Sequence, residues 1–83
     1  MKVKGIEIPL AVQEAAVAVM KTKHSFTAFN VTSVVAQHMG VKTSDEIAYR
    51  TADRIIQRER KAGNIGPSDS ARSRSSYWKW IGK

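Results

Sequence analysis

The stretch from Thr43 to Lys61 constrains this chain most, because its pattern fits one helix with two unlike faces. Thr43 followed three residues later by Glu46 has the form of a capping box, in which each side chain satisfies an orphan backbone donor of the first turn. Asp45 and Glu46 near the start, with Arg60 and Lys61 near the end, suit the helix dipole, and Gly63 supplies a stop. At roughly 100° per residue, Ile47, Ala48, Thr51, Ala52, Ile55, Ile56 and Ala62 gather on one side, and Arg50, Arg54, Gln57, Arg58 and Lys61 gather opposite. The first set asks for a core. The second stacks Arg50, Arg54 and Arg58 over successive turns, and each such like-charge pair costs an isolated helix about 0.2–0.5 kcal/mol. Glu46 can relieve Arg50, and Asp53 can lean on it from the next turn, but Arg54 and Arg58 have no good local partner. A solvated basic face is the plainer reading of the helix taken alone. A polyanion lying along it would turn the repulsion into attraction.

Charge elsewhere in the chain favours the second reading. Of 83 residues, 14 are Lys or Arg and 7 are Asp or Glu, for a net charge of +7. Residues 1–41 carry four positive and two negative side chains, whereas residues 42–83 carry ten and five. The pI is near 10.2. A surplus of this kind points to nucleic acid or an anionic surface.

Several function classes find no support. There is no cysteine, which excludes a disulfide frame and a thiolate metal site. His24 and His38 lie far apart with no carboxylate at ligand spacing. The serines from Ser68 to Ser76 lack a Gly-x-Ser-x-Gly context and a positioned base, and no Gly-rich phosphate loop occurs. No enzyme chemistry, metal, cofactor or small-molecule substrate is therefore expected. The lysines at the start run into apolar residues, but Glu7, Pro9, Gln13 and Glu14 interrupt them, against a signal peptide. The chain is expected to be one cytosolic domain with no membrane partner, nucleoid-associated if bound to DNA.

Taken in order, residues 1–8 read as an arm or a short strand, two alternatives the sequence leaves open. Residues 9–22 read as a first helix, with Pro9 in its first turn and with Leu10, Ala11, Ala15, Val17, Ala18 and Val19 over a wide arc. An arc that wide should be buried on most sides, or should pair with a second copy, which makes the Leu10–Met20 helix the candidate homodimer interface. Phe26 to Phe29 reads as a very short strand or an anchor of two aromatics. Asn30 reads as the N-cap of a second helix over 30–39, with Val31, Val34, Val35 and Met39 as its stripe and Gly40 as its end. The long helix occupies 43–62. Ser68 to Ser76 is a serine-rich loop with Arg72 and Arg74, and Tyr77 to Ile81 is the clearest strand. Paired with a segment near Asn64–Gly66, it makes a hairpin over 64–81 with a basic tip.

This order of elements resembles a winged helix-turn-helix domain. The resemblance rests on Ala36-x-x-x-Gly40-Val41, then the Arg-rich helix, then the hairpin, and it covers roughly Pro9 to Ile81. The expected fold class is therefore α+β: a three-helix winged helix-turn-helix with a C-terminal β-hairpin wing. The small Ala36 would let two helices approach, Gly40 would permit the sharp turn, and Val41 would plug that turn into the core.

The resemblance implies that the third helix enters the major groove of double-stranded DNA and that the hairpin reaches the neighbouring backbone or minor groove. Carried over position by position, Ser44, Glu46, Tyr49, Arg50, Asp53, Arg54 and Gln57 would face bases. Arg50 and Arg54 suit guanine and Gln57 suits adenine. Lys42, Thr43, Arg58 and Lys61 would meet phosphates, and Arg72 and Arg74 would be wing-tip contacts. Glu46 and Asp53 would either hold arginines in place, select cytosine amino groups, or repel DNA. Glu59, at the edge of the apolar face, needs a partner such as Arg72 or an exposed helix end. Two other functions remain open. Trp78 and Trp80 would point the same way along a strand and could stack bases of RNA or single-stranded DNA, although a cap over the core is the plainer reading. The scaffold could also grip a protein, leaving the basic face incidental.

Overall fold

The computed structural model describes residues 1–23, 25–67 and 78–82. In chain order the elements are β1 (Lys2–Val3), β2 (Ile6–Glu7), α1 (Leu10–Thr22), α2 (Ala28–Met39), α3 (Glu46–Lys61), β3 (Ile65–Pro67) and β4 (Trp78–Trp80). The fold is α+β: three helices with a small antiparallel hairpin near the C-terminus, an arrangement compatible with a winged helix. No helix among the described residues is long and apolar enough to cross a membrane.

Two helix ends explain how α2 leads into α3. Gly40 has φ 71 and ψ 29, the left-handed conformation that glycine adopts without steric cost. The N–H of Gly40 donates to the Gln37 carbonyl, and the N–H of Val41 donates to the Ala36 carbonyl. Those two bonds make a Schellman motif, and Val41 packs against the core as the sequence suggested. α3 ends in the same way. Gly63 has φ 80, its N–H donates to Arg60, and the N–H of Asn64 donates to Glu59.

The helix starts differ from the sequence reading. α3 is capped by Asp45, which accepts from the N–H of Ile47 at 3.0 Å, so the helix begins at Glu46 and not at Thr43. Lys42 to Asp45 instead closes a turn through an Asp45 N–H to Lys42 carbonyl bond of 2.9 Å. α2 is capped by Thr27, not by Asn30. The two residues form a reciprocal capping box in which Asn30 is the third helical residue. The helix thus absorbs Ala28 and Phe29. Phe26 is fully buried and joins Trp78 by a single antiparallel bridge, while Phe29 is 64% exposed and anchors nothing in the core.

The N-terminal residues form a strand pair rather than an arm. Val3 faces Ile6 and Lys2 faces Glu7 across a two-residue turn. Both turn residues have positive φ, Lys4 at 53 and Gly5 at 79, the pattern of a type I′ hairpin. Val3 and Ile8 are buried and fix this hairpin to the helices.

The core lies between the three helices. α1 contributes Val12, Ala16 and Met20; α2 contributes Val31, Val35 and Ala36; α3 contributes Ile47, Ala48, Ala52, Ile55 and Ile56; β3 contributes Ile65. α1 is buried along one face, not on most sides, since Leu10, Ala11 and Ala18 are exposed. Its alanines are small enough that neighbouring helices cover only the central stripe. On β4, Trp78 and Trp80 are half-buried and pack against this core. Arg60 stands over the Trp78 ring at 5.9 Å and Lys21 over the Trp80 ring at 5.1 Å.

One buried polar group breaks the pattern. Thr51 is fully buried on the core face of α3, and its hydroxyl has no hydrogen-bond partner among the described residues. An unsatisfied buried donor costs about 1–3 kcal/mol. Thr51→Val, which keeps the shape and removes the hydroxyl, should therefore stabilise the fold by about 1–2 kcal/mol, read as a rise in the urea midpoint at unchanged slope. A fall in that midpoint would mean that the hydroxyl is satisfied after all.

Candidate nucleic-acid interface

The outer face of α3 follows from its helical period. The core takes Ile47, Ala48, Thr51, Ala52, Ile55, Ile56 and Glu59, so the residues between them must face outward. Glu46, Tyr49, Arg50, Asp53, Arg54, Arg58, Arg60 and Lys61 are all exposed, and Gln57 is half-buried. Tyr49 is 61% exposed, a large aromatic presented to solvent. Lys42, Thr43 and Ser44 are exposed on the turn that leads into the helix. Glu46, Tyr49, Arg50, Asp53, Arg54, Gln57, Arg58 and Lys61 line two grooves that meet at Arg54. Arg72 and Arg74, together with Tyr77, lie outside the described residues.

The three arginines expected to act alike have different surroundings. Arg50 donates from Nε to Glu46 at 2.9 Å, one turn back. The same carboxylate oxygen accepts from Lys4 Nζ at 2.8 Å. The Lys4 ammonium first, and then the Arg50 guanidinium, hold the Glu46 carboxyl below its usual value. The relief of Arg50 by Glu46 is as the sequence suggested, whereas Asp53 forms no ion pair with it. Arg54 makes no hydrogen bond or ion pair among the described residues. It stands between two shallow grooves, one of about 310 Å³ reaching Val3, Lys4 and Tyr49, the other of about 510 Å³ reaching Met1, Arg58 and Lys61.

Arg58 is the exception to the expected outward row. Its Nε donates to Glu59 at 2.9 Å, and its Nη1 donates to Gln13 on α1 at 2.8 Å. Gln13 in turn donates from Nε2 to the Ile8 carbonyl at 3.1 Å. No local partner was expected for Arg58; its neighbour Glu59 and the distant Gln13 supply two. Glu59 itself is nearly buried and is satisfied by Arg58 on one oxygen and by Asn64 Nδ2 at 2.9 Å on the other; Arg72, the partner suggested by the sequence, lies outside the described residues.

Sequence reasoning missed the wall beside this face. β1 runs along α3, with Met1 near Arg54 to Lys61 and Lys4 near Glu46 and Arg50. The signal was present as Lys4-Gly5 between Val3 and Ile6, a glycine-bearing two-residue turn between apolar residues. Its place against α3 was not, because only the folded chain brings Lys4 to Glu46.

Comparison with known proteins gives this surface no relative: no family model, curated protein or solved structure matches the chain.

Glu46 is thus a joint between the N-terminal hairpin and α3, and its protonation has a definite sign. A carboxyl whose folded value is lowered stabilises the contact above its ordinary 4.5, and that contribution is lost as pH falls through the lowered value. Glu46→Gln should speed amide exchange in β1–β2 at neutral pH while leaving the middle of α3 unchanged. The gap between variant and wild type should close as pH falls below 4.5. Equal exchange in the two proteins at neutral pH would show that Lys4 and Arg50 do not need this carboxylate.

Proposed function

We propose that this protein is a winged helix-turn-helix that binds double-stranded DNA through the outer face of α3. The observation that carries this reading is Arg54: an exposed arginine with no ion pair among the described residues, set midway along a helix face that bears five exposed cations and two exposed anions. Such a face needs an external anion more than it needs any neighbour in the fold.

Geometry supports the same conclusion. From Arg50 to Lys61 the helix advances about 17 Å, half of a ~34 Å duplex turn. A helix of this diameter fits a major groove about 12 Å wide. Arg50 keeps its terminal guanidinium nitrogens available while Nε is tied to Glu46, so Glu46 aims the fork that a guanine edge requires. Ser44, Arg54 and Gln57 supply further readers along the groove, and Lys42, Thr43 and Lys61 serve phosphates at its two ends. Arg58 contributes mainly to the fold and only secondarily to a phosphate. The C-terminal hairpin, with Phe26 bridged to β4 and β4 paired to β3, is compatible with a wing. Trp78 and Trp80 lie against the core beneath cations, which weighs against base stacking by this strand.

A regulator of transcription or replication is the role such a module would serve. The test is a selection from random duplex pools followed by binding measurements at two salt concentrations. Arg50→Ala and Arg54→Ala should each weaken the selected site by about 1–3 kcal/mol and relax preference at one position. Equal losses on every sequence would remove base readout and leave an electrostatic binder. Displacement of the duplex by single-stranded competitor at equal concentration would favour the strand aromatics, and no salt-dependent DNA binding at all would favour a protein partner.

A further inference from the structure

The feature that the proposed function leaves unused is the N-terminal hairpin. We infer that β1–β2 is a second DNA-gripping element, with Lys2 and Lys4 meeting phosphates along the flank of α3 opposite the C-terminal hairpin. This rests on the duplex-binding reading above.

Position is the first argument. Arg58 shares a groove with Met1, at the start of β1, whereas Arg60 stands over Trp78 on β4. Two residues apart on a helix are separated by about 200°, so the two hairpins flank α3 on different sides. The stripe of Arg50, Arg54, Gln57 and Lys61 lies between them. A major groove about 12 Å wide admits one helix and nothing beside it. With α3 seated, β1–β2 is left at the rim, where the sugar-phosphate strand runs.

Rigidity is the second. Val3 and Ile8 are each only 2% exposed, so the hairpin is anchored at its base. Lys2 neighbours the inward Val3 and is exposed, as strand alternation requires. Lys4 occupies a turn position with φ 53, which asparagine or glycine adopts far more readily. A lysine there is poorly suited to the turn but well placed for charge. Its Nζ and the Arg50 guanidinium share one Glu46 oxygen, so two cations stand over a single anion and the cluster keeps a net positive charge.

The type I′ turn offers a variant that separates charge from folding. Lys4→Asn removes the charge and with it the bond to Glu46, a loss that the better fit of asparagine to the turn offsets, so the melting temperature should change little. Combined with Lys2→Gln, it should lower the slope of log affinity against log salt on duplex DNA by about two, at roughly 0.9 per phosphate contact. Lys4→Arg should retain the wild-type slope. If wild type binds duplex with a clear salt slope, Arg54→Ala weakens it, and the double variant leaves the slope unchanged, the hairpin is no phosphate contact and this inference alone falls. If wild type shows no salt-dependent duplex binding, both readings fall together.

Discussion

A carboxylate nearly buried in the last turn of α3 is the junction at which the parts of this protein meet. Glu59 accepts from Arg58 and from the Asn64 side chain, and its backbone carbonyl accepts from the Asn64 N–H. Arg58 carries the connection to Gln13 on α1, and Gln13 carries it to the Ile8 carbonyl beneath the N-terminal hairpin. In the other direction the Asn64 carbonyl accepts from Ile81 and Gly82, beyond β4. One hydrogen-bonded chain thus runs from the first hairpin through two helices to the last strand. Leaving a buried charge without its partner costs about 3–5 kcal/mol. The figure is smaller here because the Arg58 side chain is 43% exposed. Water can also solvate part of the pair. Even so, Glu59 fixes the orientation of Arg58, and Gly82 passes so near Asn64 that a Cβ there would lie 2.5 Å from its side-chain oxygen.

That junction explains why arginines with the same helical spacing do different jobs. Arg58 is drawn inward by an acid from its own helix and an amide from another. Arg50 is held along the surface by Glu46 and keeps part of its fork available. Arg54 makes no ion pair among the described residues, and its charge is left for whatever approaches. The proposed recognition surface is therefore narrower than an even basic face: an oriented arginine, an unpaired one, and flanking donors at Gln57 and Lys61. Fixing Arg50 before binding reduces the side-chain entropy lost on contact, which is how an acid on a DNA-facing helix can help rather than repel.

Much of the helical architecture was legible because it depends on local chemistry. The 3.6-residue period of Ile47, Thr51, Ile55 and Ile56 can bury only one face, and Gly40 and Gly63 mark positive-φ stops that few other residues tolerate. The starts were harder to read. Thr43 and Asp45 both qualify as caps, as do Thr27 and Asn30, and the choice is made by where the preceding chain must turn. Aromatics at Phe26 and Phe29 looked strand-like together, yet only Phe26 finds a strand. The face of α3 was legible in outline, but the fate of each arginine depended on Lys4 and Gln13, residues more than 40 positions away in sequence. No pattern within a helix reveals such partners.

The bridge between Phe26 and Trp78 has a consequence for the order of assembly. Its two backbone bonds, each 2.8 Å, join residues on either side of α2 and α3. Closing so large a loop forfeits much chain entropy before any bond is formed. The helical hairpins, whose contacts are closer in sequence, can collapse first and leave Phe26 as a waiting seat. The terminal strand then arrives late, as a keystone set after the arch is standing.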